Sequence, residues 1–180
     1  MYISDAMQQI EIPNGTSAKL ESGYIVVSGK LGSGKIKINE KLLNVKIEGN
    51  KIIIEPTQEK RLKRIALMAE NALLGRLKGV FDGVDKGIER RLQVAFVHFP
   101  VSLELKGDAL FIKNLFGERA PRRAKIIGNT KLEIKGQELK VKGVDPYEVG
   151  QTVTNIEKAC KILNKDTRIF QDGIYEVIGE

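Results

Sequence analysis

The sequence contains no tryptophan, a single cysteine and a single histidine among its 180 residues. The lone Cys160 excludes an internal disulfide framework and is typical of a reducing compartment, so we expect a cytoplasmic protein. One histidine and one cysteine cannot build a His/Cys metal cage, and we expect neither a metal nor a cofactor. No apolar run approaches the roughly 18 residues of a membrane-spanning helix, so no membrane partner is expected.

Positive charge, by contrast, is abundant. The chain has 30 Lys and Arg against 23 Asp and Glu, a net charge of +7 with a pI of about 9.4. This balance favours a nucleic-acid partner, although a moderately basic enzyme remains an alternative. The carboxylates are scattered among lysines without an acid–base pair. His98 has no nucleophile motif beside it, so we interpret it as a structural residue.

The chain repeats itself. Residues 19–32 (KLESGYIVVSGKLG) align without gaps with 104–117 (ELKGDALFIKNLFG), and 47–56 align with 134–143. Each repeat has short strands with turn-forming glycines, followed by one amphipathic helix. This order predicts an α+β fold of two tandem similar domains, residues 1–81 and 82–180, each an antiparallel β-sheet covered by one α-helix.

Strands and helices of the repeats can be placed from periodicity and capping residues. The first helix is predicted to begin at Pro56 and Thr57 and to end at Gly79. The second has Asp145 as N-cap, Pro146 at its first position and Glu148 completing a capping box. Its apolar stripe is Val149, Val153, Ile156, Cys160 and Leu163, so Cys160 is expected to be a core residue. The strands of the first repeat are predicted at 8–12, 18–22, 24–28, 35–38, 43–48 and 51–55.

A phosphate-binding loop is nearly spelled by SGKLGSGKI, residues 28–36. The last position of that motif requires a hydroxyl to hold Mg²⁺, but Ile36 stands there. The residues that follow alternate like a strand, whereas a phosphate loop must lead into a helix. We therefore interpret the segment as a flexible hairpin tip. Lys30 and Lys35 of this segment, with Lys37 just after it, would touch phosphates only as point charges.

The densest cluster of cations lies in KNLFGERAPRRAKI, residues 113–126. Glycine and proline predict a shaped loop between strands, and arginines bind phosphates with two parallel hydrogen bonds. The alternative is an ordinary solvated basic turn. Bulk charge would favour the first repeat as the RNA-facing half, and only this local cluster favours the second. Its cations are Lys113, Arg119, Arg122, Arg123 and Lys125.

Several segments resemble one protein family. They are VAFVHFPV (94–101), NLFGERAPRRAKI (114–126), VGQTVTNIEKACKI (149–162) and DTRIFQDGIY (166–175). Together they are similar to the sixth protein of the large ribosomal subunit, in its archaeal and eukaryotic form. The resemblance covers nearly the whole chain and is densest in the second half. The sequence departs from that family at residues 29–32 (GKLG), where a glycine-proline-x-glycine turn is usual.

The resemblance implies two similar α+β domains and a structural, non-enzymatic protein. It implies binding to large-subunit rRNA, chiefly through residues 82–180, near the stalk base and the sarcin–ricin loop. Neighbouring large-subunit proteins would be partners, and translational GTPases would dock nearby. The RNA contacts carried over from the family are Lys113, Asn114, Arg119, Arg122, Arg123 and Lys125, with Arg168, Gln171 and Tyr175 as a weaker addition.

Two other classes of function remain open at this point. A phosphoryl-transfer enzyme would bind nucleotide in a manner that depends on Lys35 and Mg²⁺. A free-standing RNA-binding module would bind RNA in general, without preference for a ribosomal fragment.

Overall fold

The protein is described by a computed structural model covering residues 8–59, 61–97, 99–162, 165–166 and 168–177. It confirms an α+β architecture in two compact units, Met1–Gly87 and Ile88–Glu180. The join predicted at residues 81 and 82 lies inside the first helix, and independent folding of the halves stays a prediction. Within the described ranges, no helix is both long and apolar enough to cross a membrane.

The first unit has two three-stranded antiparallel sheets, in the orders β1-β6-β5 and β2-β3-β4, and one helix. The predicted strands are confirmed to within about two residues. Every neighbouring pair is antiparallel, as the turn residues indicated. The elements are β1 (Gln8–Glu11), β2 (Ser17–Glu21), β3 (Tyr24–Ser28), β4 (Ser33–Lys37), β5 (Leu43–Glu48), β6 (Lys51–Pro56) and α1 (Lys63–Lys86).

Both predicted ends of α1 are wrong. Pro56 still belongs to β6, where it pairs with Leu43, so the helix begins only at Lys63. Gly79 does not stop it, although a glycine inside a helix costs about 1 kcal/mol relative to alanine. The next turn buries Val80 and Val84, and that burial outweighs the local cost. The helix ends at Lys86 and is capped by Gly87, whose φ of 75° is a conformation that glycine adopts readily.

The packing of α1 explains the glycines of the near-phosphate loop. A Cβ added to Gly29 would lie 2.1 Å from Val84 Cγ1, and one added to Gly34 would lie 2.7 Å from Val80 Cγ1. The two glycines therefore let the helix approach the sheet. The interpretation of this segment as a flexible tip is wrong for Lys35 and Lys37, which lie in β4. Of the three lysines, only Lys30 is in the β3–β4 turn, where its Nζ lies 3.3 Å from Asp85 Oδ1.

The second unit has a three-stranded sheet, β10-β9-β8, a four-stranded sheet, β11-β12-β7-β13, and one helix that packs against strands of both. Their apolar faces and the helix enclose one core, with Leu110, Ile112, Leu139, Val141 and Ile156 fully buried. The elements are β7 (Ile88–Ala95), β8 (Ser102–Lys106), β9 (Ala109–Lys113), β10 (Arg122–Lys125), β11 (Lys131–Lys135), β12 (Glu138–Gly143), α2 (Pro146–Cys160) and β13 (Gly173–Glu176).

The start of α2 is confirmed as predicted. Asp145 is the N-cap, its side chain accepting a 2.9 Å hydrogen bond from the Tyr147 N–H, and Pro146 is the first helical residue. The carboxylate of Glu148 accepts a hydrogen bond from the Asn129 N–H, and the capping box with Asp145 stays a prediction. Cys160 is buried as expected, and burial raises the pKa of its thiol to about 11. Leu163 and His98 lie outside the described residues.

Candidate nucleic-acid interface

The basic segment predicted to be one loop is in fact a turn followed by a strand. Only residues 114–121 connect β9 to β10, and Arg122, Arg123 and Lys125 are strand residues. Side chains alternate between the two faces of a strand. Arg123 and Lys125 are exposed on the outer face, whereas Arg122 and the buried Ala124 face α2. Adjacent arginines therefore have different surroundings.

The outer face of the three-stranded sheet carries most of the predicted cations. Arg123 pairs with Phe111 on β9, and Phe111 pairs in turn with Glu104 on β8. The neighbouring row runs from Lys125 through Ala109 to Lys106. We call these side chains the C-face: Glu104, Lys106, Phe111, Lys113, Arg123 and Lys125.

Positive charge dominates the C-face because its strands supply one carboxylate. Glu104 forms ion pairs with both Lys106 and Lys113, and hydrogen bonds from Lys113 and Lys106 hold the pKa of Glu104 below its usual value. Arg123 pairs with Asp108, in the adjoining turn, at the long distance of 3.7 Å. Lys125 forms no ion pair with any described residue. All the cations are at least partly exposed, so incoming phosphates can bind them without first displacing a buried partner.

An aromatic ring lies among these cations. Lys106 Nζ is 5.8 Å from the centre of the half-buried Phe111 ring. A π-face surrounded by cations on an open sheet suits single-stranded RNA, whose bases stack on aromatics while its phosphates meet the charges. Sequence reasoning missed Lys106 and Phe111. The signal was the two-residue alternation of SLELK and ALFIK, which puts them on the face of Lys113 and Glu104.

The guanidinium of Arg122 forms its hydrogen bonds within the protein. Its Nε and Nη2 donate to the two carboxylate oxygens of Glu118 at 2.8 and 2.7 Å. Its Nη1 donates to the backbone oxygens of Ala159 and Lys161, both at 2.9 Å. The Glu118 hydrogen bonds raise the pKa of Arg122 and lower that of Glu118. Arg122 thus joins the turn to the carbonyl end of α2, where a cation is favourable.

The turn before β10 is held in an unusual backbone conformation. Asn114 and Phe116, neither of them glycine, have φ values of 59° and 54°. Asn114 Nδ2 donates to the Pro100 oxygen at 3.2 Å, so the predicted RNA ligand also shapes the turn. Phe116 packs edge-on against Phe170 at 6.5 Å. These contacts leave Arg119 exposed, with no hydrogen bond or ion pair to any residue that the structure describes.

The three weaker candidates form a separate group. Arg168 pairs with Asp166, with Nη2 2.9 Å from Oδ2. Gln171 donates to the Arg168 oxygen at 3.2 Å, and the Tyr175 hydroxyl donates to the Gln171 oxygen at 3.1 Å. Tyr175 belongs to β13, in the four-stranded sheet, and is not a C-face residue.

The outer face of the four-stranded sheet provides a contrast within the same unit. Its lysines alternate with carboxylates: Lys142 contacts Glu133 and Glu89, and Lys140 contacts Glu89. Hydrogen bonding to lysine lowers the pKa of both glutamates, so they stay ionised and compensate the lysines near neutral pH. Along the strands of this sheet the outer face has five cations and three carboxylates, whereas the C-face has four cations and one carboxylate. Both faces are positive, and the C-face has the smaller share of carboxylates.

Comparison with known proteins identifies the family. Residues 99–173 match the family model described as Ribosomal protein L6. The large ribosomal subunit protein uL6 of Sulfurisphaera tokodaii is 37% identical over 177 residues, which cover 96% of this chain and 94% of that protein. The chain belongs to the ribosomal protein L6 family. The uL6 protein of Methanosarcina mazei is 33% identical over 175 residues, covering 97% and 98% of the two chains.

Membership in the L6 family, in its archaeal type, confirms the resemblance read from the sequence. Proteins of this family are structural, non-enzymatic constituents of the cytoplasmic ribosome. A phosphoryl-transfer enzyme is therefore not the function of this chain. No three His, Cys, Asp or Glu side chains are grouped as metal ligands in the part of the chain that the structure describes.

Proposed function

We propose that this L6 protein binds large-subunit rRNA chiefly through its second unit, with the C-face and the adjoining Arg119 as the principal contact. The observation that carries the proposal is the cluster of exposed cations around Phe111, four against one carboxylate, where the outer face of the four-stranded sheet has five cations against three carboxylates. Arg119, Arg123 and Lys125 bind phosphates directly, and Lys113 does so in exchange for part of its pairing with Glu104. Arg122 and Asn114 position the turn that presents Arg119.

The proposed contact region also includes Arg168, Gln171 and Tyr175, as a smaller second patch. The RNA region is the stalk base and the sarcin–ricin loop, with neighbouring large-subunit proteins at its edges and translational GTPases docking nearby. The support for this location is the family resemblance of residues 114–126 and 166–175. Because Arg168 has a side chain 88% exposed, its pairing with Asp166 opposes phosphate binding only weakly.

Salt dependence of RNA affinity tests the principal contact. Each phosphate contact contributes roughly 0.7 to 0.9 to the slope of log affinity against log salt. The triple variant Arg119→Gln, Arg123→Gln, Lys125→Gln should therefore lower the slope by about 2 to 3 on a large-subunit RNA fragment. The matched control Arg91→Gln, Lys131→Gln, Lys135→Gln removes the same charge from the four-stranded sheet. If the two triple variants lowered the slope equally, the C-face would bind RNA no more specifically than any other basic surface of this unit, and the proposed interface would be wrong.

The location on the RNA needs a separate measurement. Ultraviolet crosslinking of the native large subunit, followed by sequencing of the attached RNA, should recover stalk-base and sarcin–ricin nucleotides. Recovery of another rRNA region would contradict the proposed location on the RNA, but not the proposal that the C-face binds RNA. Retention of the chain on the large subunit through a high-salt wash distinguishes a ribosomal constituent from a free-standing RNA-binding module.

A further inference from the structure

The first unit contains a sheet built on the same pairing scheme as the sheet of the C-face. The internal repeat aligns Val26 with Phe111. Val26 pairs with Lys35 across β3 and β4, just as Phe111 pairs with Arg123 across β9 and β10. Lys35 therefore occupies the position of Arg123.

The next pair of positions repeats the correspondence. Tyr24 aligns with Ala109, and these residues pair with Lys37 and Lys125 respectively. Lys35, the lysine of the near-phosphate motif, and Lys37 just after it are thus the equivalents of two C-face cations. Because Lys35 and Lys37 are separated by one residue of a strand, both must lie on one side of the sheet.

That side of the sheet faces away from α1. Gly34 and Ile36, which alternate with the lysines, are buried beneath the helix, whereas Lys35 and Lys37 are exposed. Lys19 completes the row, because it pairs with Val26 from the opposite strand and is also exposed. We give the name N-face to these outward side chains of the sheet: Lys19, Glu21, Tyr24, Val26, Lys35 and Lys37.

The N-face has one carboxylate on its strands, Glu21, which shares a row with Tyr24 and Lys37 but forms no ion pair with any described residue. Among the described residues, Lys19, Lys35 and Lys37 make no hydrogen bond or ion pair through their side chains. Other lysines of this unit do: Lys46 is paired with Glu55 at 3.4 Å, and Lys51 with Glu11 at 3.4 Å. Lysines left unpaired on one side of a sheet concentrate positive potential there.

We propose that the N-face is a second RNA-binding surface that holds phosphates and carries no base specificity. It has lysines where the C-face has an arginine, so it lacks a bidentate fork. It has Val26 where the C-face has Phe111, and its aromatic side chain is instead the exposed Tyr24 beside Lys37. A base can stack on such a ring without sequence preference, because every base has a π-face. Phosphate contacts position a protein on RNA, whereas base contacts specify sequence. The inference rests on the proposed RNA-binding function and assigns the first unit a part in it.

The double variant Lys35→Gln, Lys37→Gln in the full chain tests the proposal. On a large-subunit RNA fragment it should lower the salt slope by about 1.4 to 1.8, corresponding to two phosphate contacts. The loss should be the same on a random-sequence RNA, because no base is read. The control Lys46→Gln, Lys51→Gln removes equal charge from the other sheet of the first unit and should change the slope by less than half as much.

A second measurement uses the wild-type protein, so that its result does not depend on whether a variant folds. Acylation of lysines, located by mass spectrometry, should be suppressed at Lys35 and Lys37 by bound RNA fragment and unchanged at Lys46. An effect of Lys35→Gln, Lys37→Gln no larger than that of the control, with both lysines still reactive in the complex, overturns the N-face. If the wild-type chain does not bind the fragment at all, the proposed function itself fails.

Discussion

Arg122→Ala should destabilise the second unit without removing an RNA contact. The substitution breaks the bidentate pair with Glu118 and two hydrogen bonds to the carbonyl end of α2. A hydrogen bond to a charged group contributes about 1.5–3 kcal/mol, but the carbonyls of Ala159 and Lys161 can turn to water after the change. The Arg122 side chain is 23% exposed, which further reduces the net value. We expect a loss of about 2–3 kcal/mol in the free energy of unfolding.

Urea unfolding of the full chain measures this loss, and Arg123→Ala is the matched control. Arg123 has a side chain 61% exposed and pairs with Asp108 at 3.7 Å, so its loss should change stability by less than about 0.5 kcal/mol. The effects on RNA binding should be the reverse of the effects on stability. Arg123→Ala should lower the slope of log affinity against log salt by about one phosphate contact, and Arg122→Ala should leave that slope unchanged. Arg122→Lys keeps the charge but not the fork, and should recover little stability. Wild-type stability in Arg122→Ala, combined with a flattened slope, would refute the assignment.

Three further predictions concern stability. Gly34→Ala should lower the free energy of unfolding by about 1–3 kcal/mol, because the added methyl overpacks against Val80. Gly75→Ala, on open helix surface, should raise it by about 0.5–1 kcal/mol. Urea unfolding measures both, and equal effects would contradict the close approach of helix and sheet. Burial raises the pKa of Glu70, which is 1% exposed, so its folded pKa exceeds the unfolded one and stability falls as pH rises above the ordinary value of 4.5. Glu70→Gln should be more stable than wild type at pH 7 and similar at pH 4, and an unchanged difference across that range would contradict the burial. Residues 88–180 alone should melt cooperatively, since their core is drawn from their own strands and helix; a gradual melt would mean that the halves need each other.

Strands and caps were accessible to sequence reasoning because they depend on local chemistry. Alternating residues and glycine turns placed the six strands of the first unit, and Asp145 with Pro146 placed the start of α2. The ends of α1 were missed because they depend on tertiary contacts. Pro56 is held by pairing with β5, and Gly79 lies in a turn of helix that buries Val80 against the sheet.

The candidate interface was found from its charge, but its arrangement was not. The local density of cations in the sequence identified the cluster around Arg122 and Arg123, yet only the register of β10 on β9 separates the two arginines. The same register shows that Lys35 and Lys37 belong to a sheet face. Their glycine neighbours, which suggested a phosphate loop, serve the approach of α1, a contact between residues too distant in sequence to be read from the motif.

The central claim is that the C-face and Arg119 contact rRNA. Mass spectrometry of peptides crosslinked to RNA by ultraviolet light in the native large subunit tests it most directly. We expect RNA adducts on the peptides containing Phe111 and residues 119–125, and none on β11 and β12 of the four-stranded sheet. Adducts confined to β11 and β12, with the C-face peptides unmodified, would contradict the claim.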